Sequence, residues 1–160
     1  MNDPIQNRGT PERILVVDDD EPMRQIIVSM LVHGGYECRE AVGGLEALAL
    51  LESGEEFDLM LTNLMMPQMD GIVLLARTKD KYSDMPVVLE TSVYDVSVVV
   101  TAIRNGAFDY LLRPFDRDQL LAVMRRALDH HRSTMEQRAY VASLESQVAT
   151  LTEQLRHRKS

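Results

Sequence analysis

The sequence predicts an α/β fold, a doubly wound five-stranded parallel sheet followed by an extended C-terminal helix. Three observations predict it. Five short apolar runs alternate with five segments of helical periodicity. Most of the runs lack polar alternation, as strands covered on both faces do, and right-handed crossovers then give a doubly wound sheet. No Gly or Pro interrupts the chain after Asp116, so the last helix has nothing to stop it.

Residues 1–12 carry Pro4, Gly9 and Pro11 and read as a loose lead-in. Arg13–Val17 is a β-rich run. Glu21–His33 follows with apolar residues at helical spacing, Asp20 as N-cap, Pro22 in the first turn and Gly34-Gly35 as the stop. Tyr36–Ala41 reads as a strand, Leu45–Leu51 as a short helix closed near Gly54, and Leu59–Thr62 as a buried strand. Beyond the Pro67–Gly71 turn, Ile72–Lys81 reads as a helix and Pro86–Thr91 as a strand. Val96–Arg104 is a helix closed at Asn105-Gly106, Tyr110–Leu112 a strand, and the final helix starts near Asp116. The domain is therefore set at residues 13–130, with 131–160 as a helical extension.

At 160 residues and 45% hydrophobic content, the chain can bury a core. No apolar run approaches membrane-spanning length and residues 1–10 lack a signal-peptide core, so a cytoplasmic protein without membrane contact is expected. A single cysteine, Cys38, excludes an intrachain disulfide and reads as a small buried strand residue. The net charge of −8 argues against direct nucleic-acid binding. Charge is uneven: from Arg125 onward there are seven Lys/Arg against four Asp/Glu, and before it ten against twenty-one.

In doubly wound sheets, function gathers at the carboxyl ends of the strands. Asp18-Asp19-Asp20, Asn63, Thr91 and Arg113 all fall at such ends. Asp18-Asp19, the Asn63 loop with Met65-Met66-Pro67 and Asp70-Gly71, Thr91-Ser92, and Tyr110-Leu-Leu-Arg113-Pro114-Phe115 follow one another in a fixed order. This pattern resembles the receiver domain of bacterial two-component response regulators over roughly residues 13–130.

The resemblance implies a flavodoxin-like receiver fold and a set of roles. Asn63 stands where the family has its phosphoacceptor aspartate. Asp18 and Asp19 match the acidic pocket. Asp19, Asn63 and the Met65 carbonyl match the direct ligands of a divalent cation, usually magnesium, with Asp18 acting through water. Thr91 matches a hydroxyl that contacts the phosphoryl group. Tyr110 matches the aromatic that moves with it, although an ordinary core aromatic fits that position as well. Arg113 replaces the phosphate-contacting lysine, and the Arg113-Pro114 bond falls at a family position that is commonly cis.

Three departures matter. A carboxylate attacks phosphorus to give an acyl phosphate, and a neutral carboxamide is a far poorer nucleophile. Guanidinium is planar and suited to bidentate carboxylate pairing, unlike an ammonium. Glu90 stands where the family is apolar, on the face opposite Thr91, and needs a partner if buried. Asp18, Asp19, Asn63 and Arg113 together are one unit negative, against two for three carboxylates and a lysine. Magnesium binding is accordingly expected to be weak. Arg113 is expected to pair with Asp18 or Asp19, with Glu90 as the competing partner. Asn63 alone would suit an engineered block on a phosphorylatable regulator; together with Glu90 and Arg113 it reads as natural divergence.

The expectation is a signalling module of a two-component phosphorelay, not an enzyme, that is phosphorylation-silent or atypically regulated. It would act on a protein partner, a histidine kinase or a downstream effector, through the fourth helix, fifth strand and fifth helix. Asp18-x-Asp20 also resembles the nucleophile motif of haloacid dehalogenase-type phosphatases, but Pro22 breaks that motif. With no output domain after Ser160, the module either acts alone or is a fragment whose helix led to an effector.

The extension carries a heptad seam: Val141 (a), Leu144 (d), Val148 (a), Leu151 (d) and Leu155 (a). Val at a with Leu at d favours a parallel two-stranded coiled coil, hence a homodimer. A protruding, partly frayed helix is the other reading.

Overall fold

The computed structural model describes residues 9–158; most of the lead-in, and Lys159 and Ser160, lie outside the described residues. Five strands and five helices alternate: β1 Arg13–Val17, α1 Glu21–His33, β2 Glu37–Ala41, α2 Gly44–Glu52, β3 Leu59–Asn63, α3 Gly71–Lys81, β4 Val87–Thr91, α4 Val96–Arg104, β5 Asp109–Leu112 and α5 Arg117–Arg158. All pairs are parallel in the order β2-β1-β3-β4-β5. The strand order reverses between β1 and β3, which places Asp18 and Asn63 beside the crevice that such a reversal opens.

Local chemistry sets the helix ends. The Asp20 carboxylate accepts from the Met23 N–H at the start of α1, and Gly35, at φ 93°, turns the chain out of it. Asp70 and Asp95 cap α3 and α4 through the Val73 and Ser97 N–H groups. Asp116 and Gln119 satisfy each other's backbone N–H at the start of α5, a reciprocal cap.

The sheet has two cores because strand side chains alternate between faces. Ile14, Val16, Leu59, Leu61, Val88 and Leu111 meet Ile27 and Leu31 of α1 and Leu120, Met124 and Ala127 of α5. Leu15, Val17, Met60, Val87 and Leu89 meet Leu51 of α2 and Leu74 and Leu75 of α3. β3 and β4 are buried at every residue. β2 is an edge strand exposed at Glu37, Arg39 and Glu40, so Cys38 is half-buried rather than buried, and burial pushes its thiol up to about 11.

α5 is 42 residues long, about 60 Å at 1.5 Å per residue, and no break marks residue 130. Its contacts with the body continue past that boundary. Arg132 pairs with Glu12 at 3.3 Å, His131 Nδ1 meets the Asp84 carbonyl at 3.0 Å, and Arg138 pairs with Asp84. From Met135 to Arg158 every residue is exposed. Among the described residues, no helix is long and apolar enough to cross a membrane.

Candidate functional site

Asp18 and Asn63 end β1 and β3 on the same face of the sheet, so both side chains turn into one pocket at the carboxyl ends. Asp18 is fully buried and Asn63 nearly so, whereas Asp19 lies at the open rim. The Asn63 carboxamide nitrogen donates to Asp18 Oδ1 at 3.2 Å, Asp19 Oδ1 at 3.3 Å and the Met65 carbonyl at 3.0 Å. Its oxygen accepts from the Met65 N–H at 3.2 Å. That N–H requires an acceptor and the three oxygens require a donor, so only one orientation of the carboxamide serves both sides.

The arrangement bears on the cation that the sequence pattern implies. Magnesium takes oxygen ligands. Here the carboxamide oxygen is engaged by backbone, and a nitrogen donor faces the three oxygens that would otherwise surround an ion. Asp19, Asn63 and Met65 come together as expected, with the carboxamide nitrogen facing the other two; Asn63 would lend its oxygen to a divalent cation only with its carboxamide turned over. No group of three or more His, Cys, Asp or Glu suited to a metal occurs among the described residues.

Arg113 and Glu90 form the second half of the pocket. Arg113 Nε donates to Glu90 Oε2 at 2.5 Å, while its terminal nitrogen stands 4.0 Å from Asp18 Oδ2. The expected pairing with an acidic strand end is thus present only as the longer contact to Asp18; Glu90 holds the short one. Strand register explains this. Glu90 aligns with Asn63 on β3 and with Leu111 on β5, so it shares its face with Asn63 and, two residues past Leu111, with Arg113. Facing away from Thr91 brings it toward the arginine.

Glu90 is 1% exposed. As bare carboxylates, its Oε1 and Asp18 Oδ2 have no donor. Burial, then a hydrogen bond with Asp18, push the Glu90 carboxyl up to about 8, against the pull of Arg113.

Thr91 and Tyr110 lie on the other face. Thr91 Oγ1 accepts from the Val93 N–H at 3.1 Å, and the Tyr110 hydroxyl donates to the Val93 carbonyl at 3.1 Å. The Tyr110 ring packs against the α2–α3 side core. The Arg113-Pro114 bond is cis.

Two residues were not assigned from sequence. Arg24, on the buried side of α1, donates to the Asp18 carbonyl at 2.7 Å and pairs with Glu40 at 2.9 Å. A charge three residues before Ile27, in the apolar stripe of a helix, is the signal that could have marked it. Gly71 lies under the pocket, where a Cβ would stand 2.6 Å from the Asn63 carbonyl and 2.9 Å from Leu64 Cα. Asp20, the second member of the phosphatase-like motif, is occupied as the α1 cap.

A doubly wound parallel sheet with acidic strand ends facing a strand-end polar residue defines a receiver-type module. The model of the response regulator receiver domain matches residues 14–125, and the chain belongs to that family. The DNA-binding transcriptional regulator NtrC of Salmonella typhimurium is 37% identical over 125 residues, covering 78% of this chain and 26% of that protein. The regulatory protein AtoC of Escherichia coli is 38% identical over 116 residues, covering 72% and 25%. The chain thus spans about a quarter of the length of these relatives. Among solved structures, NtrX from Brucella abortus superposes with a TM-score of 0.77 at 30% identity, over 82% of this chain and 30% of that one. A CheY-like receiver domain protein from Methanospirillum hungatei superposes at 0.74 and 29%, over 78% and 99%.

Proposed function

We infer that this receiver domain is phosphorylation-silent and signals by protein–protein contact as a dimer. The observation that carries the reading is Asn63: at the acceptor position stands a carboxamide, hydrogen-bonded on both sides, with no carboxylate to form an acyl phosphate. Magnesium binding at such a site is weak, because the missing charge and the inward-facing nitrogen both oppose it. The module carries no catalytic residue in this reading.

Dimerisation is supported by the α5 seam. Val141, Leu144, Val148, Leu151 and Leu155 are each 41–62% exposed on one protomer. Followed back at about 100° per residue, the seam reaches Gln137, Arg126 and Gln119. The last two line a groove with Tyr110 and Leu112 of β5. A second copy in parallel along the seam meets that flank as well. For a signalling partner, a histidine kinase or a downstream effector, the β4–α4 loop offers Tyr94 and α4 offers Val96, Val100 and Ile103, all exposed.

Two experiments test the reading. A histidine kinase loaded with labelled phosphate is expected to transfer none to this chain; label that is stable in acid and lost in alkali overturns the silent site. Sedimentation of the full chain is expected to show a dimer and of a version ending at Arg132 a monomer. Two monomers at micromolar concentration overturn the coiled coil.

A further inference from the structure

The second half of the pocket has a consequence separate from the acceptor position. We propose that the Glu90 carboxyl is a built-in occupant of Arg113, closing the strand-end pocket to any phosphoryl or carboxylate ligand and holding the β4–β5 ends in one arrangement. The proposal rests on the reading that Asn63 takes no phosphoryl group, and it adds a second, non-covalent closure.

Three observations carry it. A guanidinium at a strand-end crevice is an anion receptor, and the strongest contact it makes is charge-assisted and short. In this chain that contact is internal, at 2.5 Å from Arg113 Nε to Glu90 Oε2. Glu90 aligns with Asn63 in the β3–β4 ladder, so its carboxyl lies beside the position where an incoming anion would arrive. Both partners are shielded, with side-chain exposures of 18% for Arg113 and 1% for Glu90. An external anion would have to displace Glu90 and leave its buried carboxyl without that hydrogen-bond donor, which is costly.

The pair also ties the switch residues. Glu90 precedes Thr91, whose carbonyl accepts from the Arg113 N–H at 2.8 Å. Thr91 and Tyr110 in turn both bind Val93. Side-chain and backbone links therefore tie Arg113 to two successive residues of β4, Glu90 and Thr91. Glu90 is a positioning residue in this scheme: it acts through Arg113 on the strand ends and touches no reacting atom.

The test uses the full chain with Asn63 retained, labelled to read the Arg113 Nε–H resonance, with acetate and inorganic phosphate as probes. In the wild type neither anion is expected to move that resonance. Glu90→Ala opens space beside the guanidinium. Acetate or phosphate should then bind saturably, shift the Arg113 resonance and restore the Val93 amide toward its wild-type position. Glu90→Ala with Arg113→Met should show no saturable binding. A wild-type resonance that titrates with either anion overturns the proposal. So does a Glu90→Ala protein in which Asp18 takes over Arg113 and neither anion has an effect. If Glu90→Ala does not fold, Glu90→Gln keeps the volume and carries the test: the Arg113 Nε–H should shift and exchange faster with water, and an unchanged resonance overturns the idea. Reversible shifts are distinct from a covalent mass gain, so this test fails independently of the reading of Asn63.

Discussion

Arg113 Nε donates to Glu90 Oε2 at 2.5 Å across the ends of β5 and β4, and the pocket's remaining chemistry follows from that contact. The arginine is balanced from within the sheet. The carboxyl it holds lies beside Asp18, and Asp18 accepts from Asn63. Four side chains from four strands thus close on one another at the point where a receiver would hold its phosphoryl group.

Glu90 makes stability depend on pH. Its folded pKa is raised, from 4.5 to about 8, so the folded state holds a proton that the unfolded chain releases. The contribution is fully present below about pH 4.5 and is lost as pH rises through about 8. Within that window the loss is at most about 1.4 kcal/mol per pH unit. Urea unfolding at a series of pH values should show the decline, and Glu90→Gln should flatten it. An equal slope in the variant would place the proton elsewhere.

Asn63→Asp replaces a donor with a third carboxylate beside Asp18 and Asp19. Lost hydrogen bonds and like charge should lower stability by about 1–3 kcal/mol without divalent ions. Magnesium should recover part of that in the variant and change the wild type little. Thermal melts with and without magnesium read the difference, and an equal response in both proteins would show that residue 63 is not at a cation site.

Gly71→Ala should destabilise by about 1–3 kcal/mol. The added Cβ meets the Asn63 carbonyl and the Leu64 backbone, neither of which can move without shifting the strand end. Chemical denaturation checks the magnitude, and amide spectra should place the disturbance at residues 63–65. A neutral result would mean that the β3–α3 loop yields easily.

Tyr110→Phe removes only the hydroxyl that binds the Val93 carbonyl. A cost of about 1 kcal/mol is expected, with faster hydrogen exchange in the β4–α4 loop. Exchange confined to other regions would show that this bond does not anchor the loop.

If the α5 seam pairs two copies as proposed, Leu144→Asp with Leu151→Asp should leave the full chain monomeric with the melting of the body unchanged, since both side chains lie outside either core. Sedimentation and thermal melts together separate this from unfolding.

The element order was legible because its signals are local. Asp20 and Asp116 cap the helices they precede, Gly35 and Gly106 adopt positive φ at helix ends, and β3 and β4 are apolar enough to read as covered strands. The meeting of Asp18, Asp19 and Asn63 followed from strand ends in a doubly wound sheet. What resisted reading depends on register between strands. Glu90 was placed on the face opposite Thr91, which is where it lies, but its alignment with Asn63 is a property of the β3–β4 ladder and is written in neither strand alone. The orientation of the Asn63 carboxamide needed the Met65 N–H. Arg24 was hidden because its partners, the Asp18 carbonyl and Glu40, come from two different strands. Cys38 reads as buried by residue type alone, although its charged neighbours Glu37, Arg39 and Glu40 carry the signal of an edge strand.

The central claim is that this pocket takes no phosphoryl group, and intact mass measurement after incubation with acetyl phosphate and magnesium tests it most directly. The wild-type mass is predicted to stay unchanged. A gain of one phosphoryl group, stable in acid, labile in alkali and mapped to residues 58–71, would contradict the account.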